Sequence, residues 1–273
     1  MPTPVPSNQS RLELAREVVR DAGALALASF RDARLVVEEK GVQDYVTAVD
    51  RAVEELIVER LRAAFPGDEF LGEEGGRRAG SPGESALWVI DPIDGTANYT
   101  RGLPLWCVSV ALVDAGEIVL GLIFNPVSDE FYCAVAGHGA HCNGKPIKVS
   151  GVRSPQQARI GMGFSYRLSP TLHVGGISRL LDAHCEYSRL GSGALGMAFV
   201  ADGRFDGYWE PHINSWDVLA GICLVREAGG WVNDFLADDG LFGGNPILAC
   251  TPGLRTFLQE QLMTLEIPAR RPV

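Results

Sequence analysis

Apolar positions recur at two different periods along this chain. From Leu12 to about Phe30, the residues Leu14, Val18, Ala22, Leu25 and Ala26 fall at helical spacing. A second helix has clearer ends. Thr47 and Asp50 form a capping-box-like start, Val49, Val53, Leu56, Ile57, Leu61 and Ala64 follow, and Pro66 and Gly67 stop it. The period then shortens. "ALWVI", "CVSVALV", "EIVLGLIFN" and "EFYCAVA" are strand-like runs, and the turn sequences "DAGE" and "NPVSD" separate the last three. These predict an antiparallel meander flanked by helices, with "GHGAHCNGK" a tight connection before "PIKVS".

Beyond Ser150 the two periods alternate. "ARIGMGF", "YSRL", "FDGYWE", "WVNDF" and "PILACT" read as strands. "TLHVGGISRLLDAH", "ALGMAFVADG", "SWDVLAGICLVREAGG" and the tail read as helices. Short links between alternating elements predict layered α/β architecture. A weak boundary at "KVSGVRSPQQ" divides the chain into 1–150, an α+β half, and 151–273, an α/β half. There is no internal repeat.

At 273 residues the chain fits one large domain or two closely packed halves. The formal net charge of −10 argues against a general nucleic-acid binder, which needs a basic face for phosphates. A small phosphorylated substrate stays compatible if metal ions supply positive charge. The start, "MPTPVPSNQS", has no basic region leading into an apolar core, so we read a short leader and no signal peptide. No apolar run is long enough to span a bilayer. Six scattered cysteines without a CxxC pair predict reduced, mostly buried thiols in the cytoplasm.

The chemistry concentrates in "LWVIDPIDGTANY", where an apolar run ends in Asp91 and Asp94. Two carboxylates 4 Å apart at an effective dielectric near 20 repel by about 4 kcal/mol. The pair therefore needs solvent, a proton or a cation. Other acids stand where elements begin or end: Glu73 and Glu74 in "FLGEEG", Asp217 in "SWDVLAG", Asp44 and Asp50 in "DYVTAVD". Each alone has an ordinary explanation as a helix-dipole partner or a solvated turn, and "ADDG" at 237–240 is read as a turn. "DPIDGT" is different. Pro92 fixes the exit from Asp91, Gly95 lets the backbone pass close to a neighbour, and the N–H groups at Thr96 suit a phosphate. Carboxylates plus phosphate call for hard cations with oxygen ligands, which fits Mg2+; without histidine or cysteine in the set, zinc is disfavoured.

"DPIDGTANY", with "GEE" before it and "WDVLAGICLVREAGG" after it, resembles the inositol monophosphatase family of metal-dependent, lithium-sensitive phosphatases. The resemblance spans roughly residues 10 to 265. It implies a layered α/β/α/β/α sandwich of the inositol monophosphatase and fructose-1,6-bisphosphatase type, and a homodimer. It also implies that Glu73, Asp91, the Ile93 carbonyl, Asp94 and Asp217 ligate two or three Mg2+ ions. In "DYVTAVD", Asp44, Thr47 and Asp50 would hold a water network and pair with an upstream lysine, Lys40. Gly95 and Thr96 would bind phosphate, and the Thr96 hydroxyl with Glu73 would orient the attacking water.

For the alcohol half of the substrate the resemblance points to Glu210, Ser192 and Gly193, with Ser165 fainter, and Asp94 would contact substrate as well. Arg167 and Arg189 are candidates for a second anionic group. His212 is read as a hydrogen-bonding scaffold residue. The stretch "ANYTRGLPLW" differs from the usual inositol type and is similar to relatives acting on histidinol phosphate. Inositol 1-phosphate leads, histidinol phosphate and fructose 1,6-bisphosphate stay open, and a non-catalytic metal- or phosphate-binding relative is the reading from another class. Asp91→Asn or Asp217→Asn is expected to abolish most phosphatase activity in a protein that stays folded, checked by phosphate release alongside circular dichroism.

Overall fold

The computed structural model describes residues 8–30, 37–41, 44–80 and 86–265. The expected leader at the N-terminus lies outside them. Helix α1 runs over Asn8–Ser29, a hairpin of β1 (Val37–Gly41) and β2 (Asp44–Thr47) follows, and α2 covers Ala48–Ala64. Thr47 caps α2 in a true capping box with Asp50. The buried stripe of α1 is Leu12, Ala15, Val18, Val19, Ala22 and Ala26. Leu25, expected on that stripe, is exposed, because the stripe is rotated toward the alanines, whose size lets α1 lie close on the sheet.

A mixed eight-stranded sheet comes next. Its strands are β3 (Glu69–Gly72), β4 (Gly76–Arg78), β5 (Leu87–Asp94), β6 (Cys107–Asp114), β7 (Glu117–Asn125), β8 (Glu130–Val135), β9 (Ala140–Cys142) and β10 (Lys145–Pro146). The order is β10-β9-β8-β7-β6-β5-β3-β4, an antiparallel meander from β5 to β10, with β3 parallel to β5. The tight connection expected at "GHGAHCNGK" contains the strand β9, on which Lys145–Pro146 close a hairpin. Between β5 and β6 lies the short helix α3 (Thr96–Tyr99).

The second sheet holds β11 (Arg159–Met162), β12 (Glu186–Ser188), β13 (Gly207–Ile213), β14 (Trp231–Val232) and β15 (Asn245–Cys250), in the order β12-β11-β13-β15-β14. Helices α4 (Pro170–Asp182), α5 (Gly193–Ala201) and α6 (Ser215–Glu227) connect its strands. The turn expected at 237–240 is a 3-10 segment leading into α7 (Gly240–Gly243). The tail helix is broken into a 3-10 turn, α8 (Arg255–Leu258) and a π-helical end at Gln259–Met263.

Alternation along the strands shows how the layers stack. On β5 and β6, Trp88, Ile90, Val108, Val110 and Leu112 face α1 and α2, while Val89, Cys107 and Ala111 share a core with α5 and α6. On β13 and β15, Tyr208, Ile247 and Ala249 join that same core, and Trp209, Leu248 and Cys250 pack with Leu172 and Leu180 of α4. The result is helices, sheet, helices, sheet, helices, the expected five layers. The middle core draws on both sides of Ser150. Its helices are apolar all round over 193–201 and 218–225, as a layer covered on both faces requires. All six cysteines are free and five are buried. No helix among the described residues is long and apolar enough to cross a membrane.

Contact between α6 and β7 depends on Gly121, where an added Cβ would lie 2.4 Å from the Ala220 carbonyl oxygen. Gly121→Ala is therefore expected to cost about 2 kcal/mol through overpacking, measured as a lower urea midpoint with an unchanged slope.

Candidate active site

Asp91 and Asp94 are three apart, so a regular strand would point them to opposite faces of the sheet. The register against β6 resolves this. Asp91 pairs with Ser109 and Asp94 with Cys107, so one extra residue is bulged out between them. The bulge contains Pro92, which has no N–H to give the ladder. Both aspartates consequently face the α5–α6 layer. The Asp91 carboxylate also accepts the Ile93 N–H at 3.0 Å, which fixes the bulged loop.

Asp217 reaches the same place from the first turn of α6, where its carboxylate caps the helix by accepting the Asn214 N–H at 3.1 Å. Carboxylate oxygens of Asp91, Asp94 and Asp217 all lie within 4.8 Å of one another. Asp91 is 1% exposed and Asp94 5%. Asp94 caps α5: the Ser192 hydroxyl donates to it, as do the N–H groups of Gly193 at 3.2 Å and Ala194 at 2.7 Å. Donors of this kind at a helix N-terminus hold an anion well.

Burial first, then Glu73, Asp94 and Asp217, hold the Asp91 carboxyl well above the usual carboxylate range. Asp217 is raised strongly as well, by burial and then by Asp94 and Glu210. Asp94 is raised by burial against the opposing pull of its α5 donors. Such a cluster in low dielectric fits a hard cation, because only oxygen donors are present and their mutual repulsion is what a cation would relieve.

A cleft of about 320 Å3 opens over this cluster. Glu73, half-buried at the end of β3, lines it with Ile93, Gly95 and Thr96. Gly95 has φ +95°, and a Cβ there would sit 2.9 Å from the Leu105 carbonyl oxygen, so only glycine lets the chain pass. The Thr96 hydroxyl donates to the Ile93 carbonyl at 2.9 Å and to Asp50 at 3.3 Å. Asp50 lies behind it, its other oxygen held by the Thr47 N–H at 2.8 Å and the Thr47 hydroxyl at 2.5 Å. Asp44 opens β2 and Lys40 lies on β1; their side chains lie outside the described residues.

Ser192, Gly193 and Glu210 are not among the residues that line the cleft. The first two are engaged with Asp94. Glu210 is buried and accepts the Tyr208 hydroxyl at 2.7 Å, and burial lifts its pKa to about 7. Arg189 does line the cleft, whereas Arg167 donates to the Asn214 side chain at 2.7 Å. His212 is buried with Nε2 3.2 Å from the Gly243 carbonyl oxygen, in keeping with a scaffold role.

Several groups escaped the sequence reading. Asn98 donates to the carbonyls of Leu105 at 2.7 Å and Leu190 at 2.9 Å, tying the two halves at the cleft. Glu54 of α2 accepts the N–H groups of Glu74 and Gly75, both at 2.8 Å, and pairs with Arg78. It thereby anchors the turn that carries Glu73; a buried glutamate on a predicted apolar face was the only signal. Phe164, Tyr166 and Arg101 also line the cleft.

A five-layered α/β sandwich with a carboxylate cluster at the base of its cleft is the framework of a metal-dependent phosphoric monoester hydrolase. The inositol monophosphatase family model matches residues 7–265, and the chain belongs to that family. It is 39% identical to a relative named Nus factor SuhB from Pseudomonas aeruginosa, over 93% of this chain and 97% of that one. An inositol-1-monophosphatase from Mesorhizobium japonicum is 38% identical, over 88% of each chain. Among solved structures, extragenic suppressor protein suhB from Bartonella henselae superposes with a TM-score of 0.87 at 32% identity, covering 93% of this chain and 99% of that one.

Raised carboxyls bind protons in the native state that the unfolded chain releases above about pH 4, so stability falls as pH rises through that window. Glu210 alone, lifted to about 7, accounts for roughly 3 kcal/mol between pH 4 and 8. Denaturation in chelator is expected to show a falling unfolding free energy from pH 5 to 8. Added Mg2+ should restore more stability at pH 8 than at pH 5. A flat profile in chelator would contradict the electrostatic account.

Proposed function

We propose that this hydrolase is a Mg2+-dependent phosphomonoesterase for a small polyol phosphate, with inositol 1-phosphate the leading substrate. The observation that carries the reading is the convergence of Asp91, Asp94 and Asp217 at the base of one cleft. In this reading they hold two or three ions together with Glu73 and the Ile93 carbonyl oxygen. Bound Mg2+ supplies positive charge to the phosphoryl oxygens and acidifies water near neutral pH. The same reading takes the enzyme as a cytoplasmic homodimer whose two halves, 1–150 and 151–273, build one site.

The chain's own groups would position and move protons. N–H groups of Gly95 and Thr96 take phosphate oxygens beside the carboxylates. Thr96 Oγ1 donates to Asp50 and so keeps a lone pair for the attacking water, which Glu73 orients. As the water oxygen bonds to phosphorus, its proton passes to Thr96 Oγ1 and the threonine proton to Asp50 Oδ1, 3.3 Å away. Burial raises the Asp50 pKa, which makes it a better proton acceptor. The bond from phosphorus to the alcohol oxygen breaks in the same displacement and the departing oxygen takes a proton from solvent water, so no covalent enzyme intermediate is needed. Asp44 and Thr47 support Asp50 here. Ser192 and Gly193 serve the reaction through Asp94, and Glu210, withdrawn from the cleft surface, acts through the Asp217 carboxyl that it helps to raise.

The test is phosphate release by purified protein, with and without Mg2+, on inositol 1-phosphate, histidinol phosphate, fructose 1,6-bisphosphate and adenosine 3′,5′-bisphosphate at equal concentration. Mg2+-dependent turnover with inositol 1-phosphate preferred is the expected result. Preference for histidinol phosphate would keep the site and change the substrate, and silence across the panel would sink the enzymatic reading.

A further inference from the structure

One part of the cleft has no task in the displacement. Phe164 and Tyr166, in the segment between β11 and α4, line the same cleft as the carboxylates. Their rings meet edge to face, with centroids 4.8 Å apart and planes at 80°. His173 of α4 also meets Phe164 edge to face, at 5.2 Å. Phe164 is thus held between two rings, while Tyr166 remains 55% exposed. Neither a phosphate nor a cation site made of carboxylates gains from an apolar ring face. A tyrosine ring left in water at the mouth of a cleft gains only when a ligand covers it.

We propose that Phe164 and Tyr166 determine specificity for the alcohol half of the substrate by seating the C–H face of a cyclic polyol. This rests on the phosphomonoesterase reading above. The geometry favours a puckered ring over a flat heterocycle. A flat base gains most between parallel aromatic faces, whereas two rings at 80° form a corner of one face and one edge, which a ring with axial C–H bonds fills. Other residues of the lining suit the hydroxyl groups: Arg189 and Arg101 line the same cleft. A volume of about 320 Å3 is at the small end of ligand pockets, room for a single sugar-sized ring and its phosphate.

The experiment compares kcat/KM for inositol 1-phosphate, cyclic, with that for glycerol 2-phosphate, acyclic, in wild type, Tyr166→Ala, Tyr166→Phe and Phe164→Ala, together with the inhibition constant of inorganic phosphate. Wild type is expected to prefer the cyclic ester. Tyr166→Ala and Phe164→Ala should lose about tenfold on it, mainly in KM, and less than about threefold on the acyclic ester. Tyr166→Phe should keep the preference, because the ring and not the hydroxyl makes the contact. Phosphate inhibition should shift little in all three. Equal losses on both esters, a damaged Tyr166→Phe, or a wild type indifferent to the ring would overturn the inference while leaving the phosphatase reading standing. A wild-type preference for histidinol phosphate that disappears in Tyr166→Ala would replace the polyol by a flat heterocycle. No turnover of any ester would remove both readings.

Discussion

Three carboxylates brought within 4.8 Å of one another, two of them almost fully buried, are the constraint on which the rest of this structure depends. In low dielectric their repulsion far exceeds what surface acids experience. The fold meets it with aligned N–H groups. Asp94 sits on the start of α5 and Asp217 in the first turn of α6, while Asp50, behind Thr96, sits in the first turn of α2. Helix termini stabilise anions without adding a positive side chain that would occupy the place of a cation. Burial, and after it what remains of the repulsion, appears as raised carboxyl pKa values, and both are relieved when a cation enters.

The same device is used twice. In β5, "DPID" bulges at Pro92 and turns both acids inward just before α3. In β13, Glu210, Pro211, His212 and Ile213 repeat the pattern: Glu210 pairs with Ile247 and Ile213 with Asn245, again three residues against two. That bulge ends immediately before α6 and Asp217. Each sheet thus carries one proline-bearing bulge just ahead of a helix start, α3 in the first and α6 of the middle layer in the second. The layer can be thin enough for this only because glycine stands where strand and helix touch, as Gly121 does against Ala220.

The acids and the aromatic pair that line one cleft come from different parts of the fold. The acids come from strand ends and helix starts, whose backbone hydrogen bonds fix them closely, and Glu54 extends that support to the Glu73 turn. The aromatic pair sits on a connection between β11 and α4, where side chains vary without disturbing either sheet. A family that keeps one reaction and changes its alcohol would be expected to divide its residues in this way.

Much was already legible in the sequence. Thr47 with Asp50, and Pro66 with Gly67, bounded α2 because caps and breakers act locally; the meander followed from period-two runs and short turns. The acids were recognisable because the motif order from "GEE" through "DPIDGT" to "WD" is specific. Packing decided the rest. It chose which stripe of α1 is buried, paired Ala140–Cys142 as a strand inside an expected connection, and broke the tail helix. It withdrew Ser192, Gly193 and Glu210 from the cleft surface and put Phe164, Tyr166 and Asn98 there. It gave Glu54 a partner twenty residues away. Local signals record what a residue does to its own backbone. Which face it finally turns to, and what stands opposite, is set by register and by layers that meet only when both halves of the chain are folded.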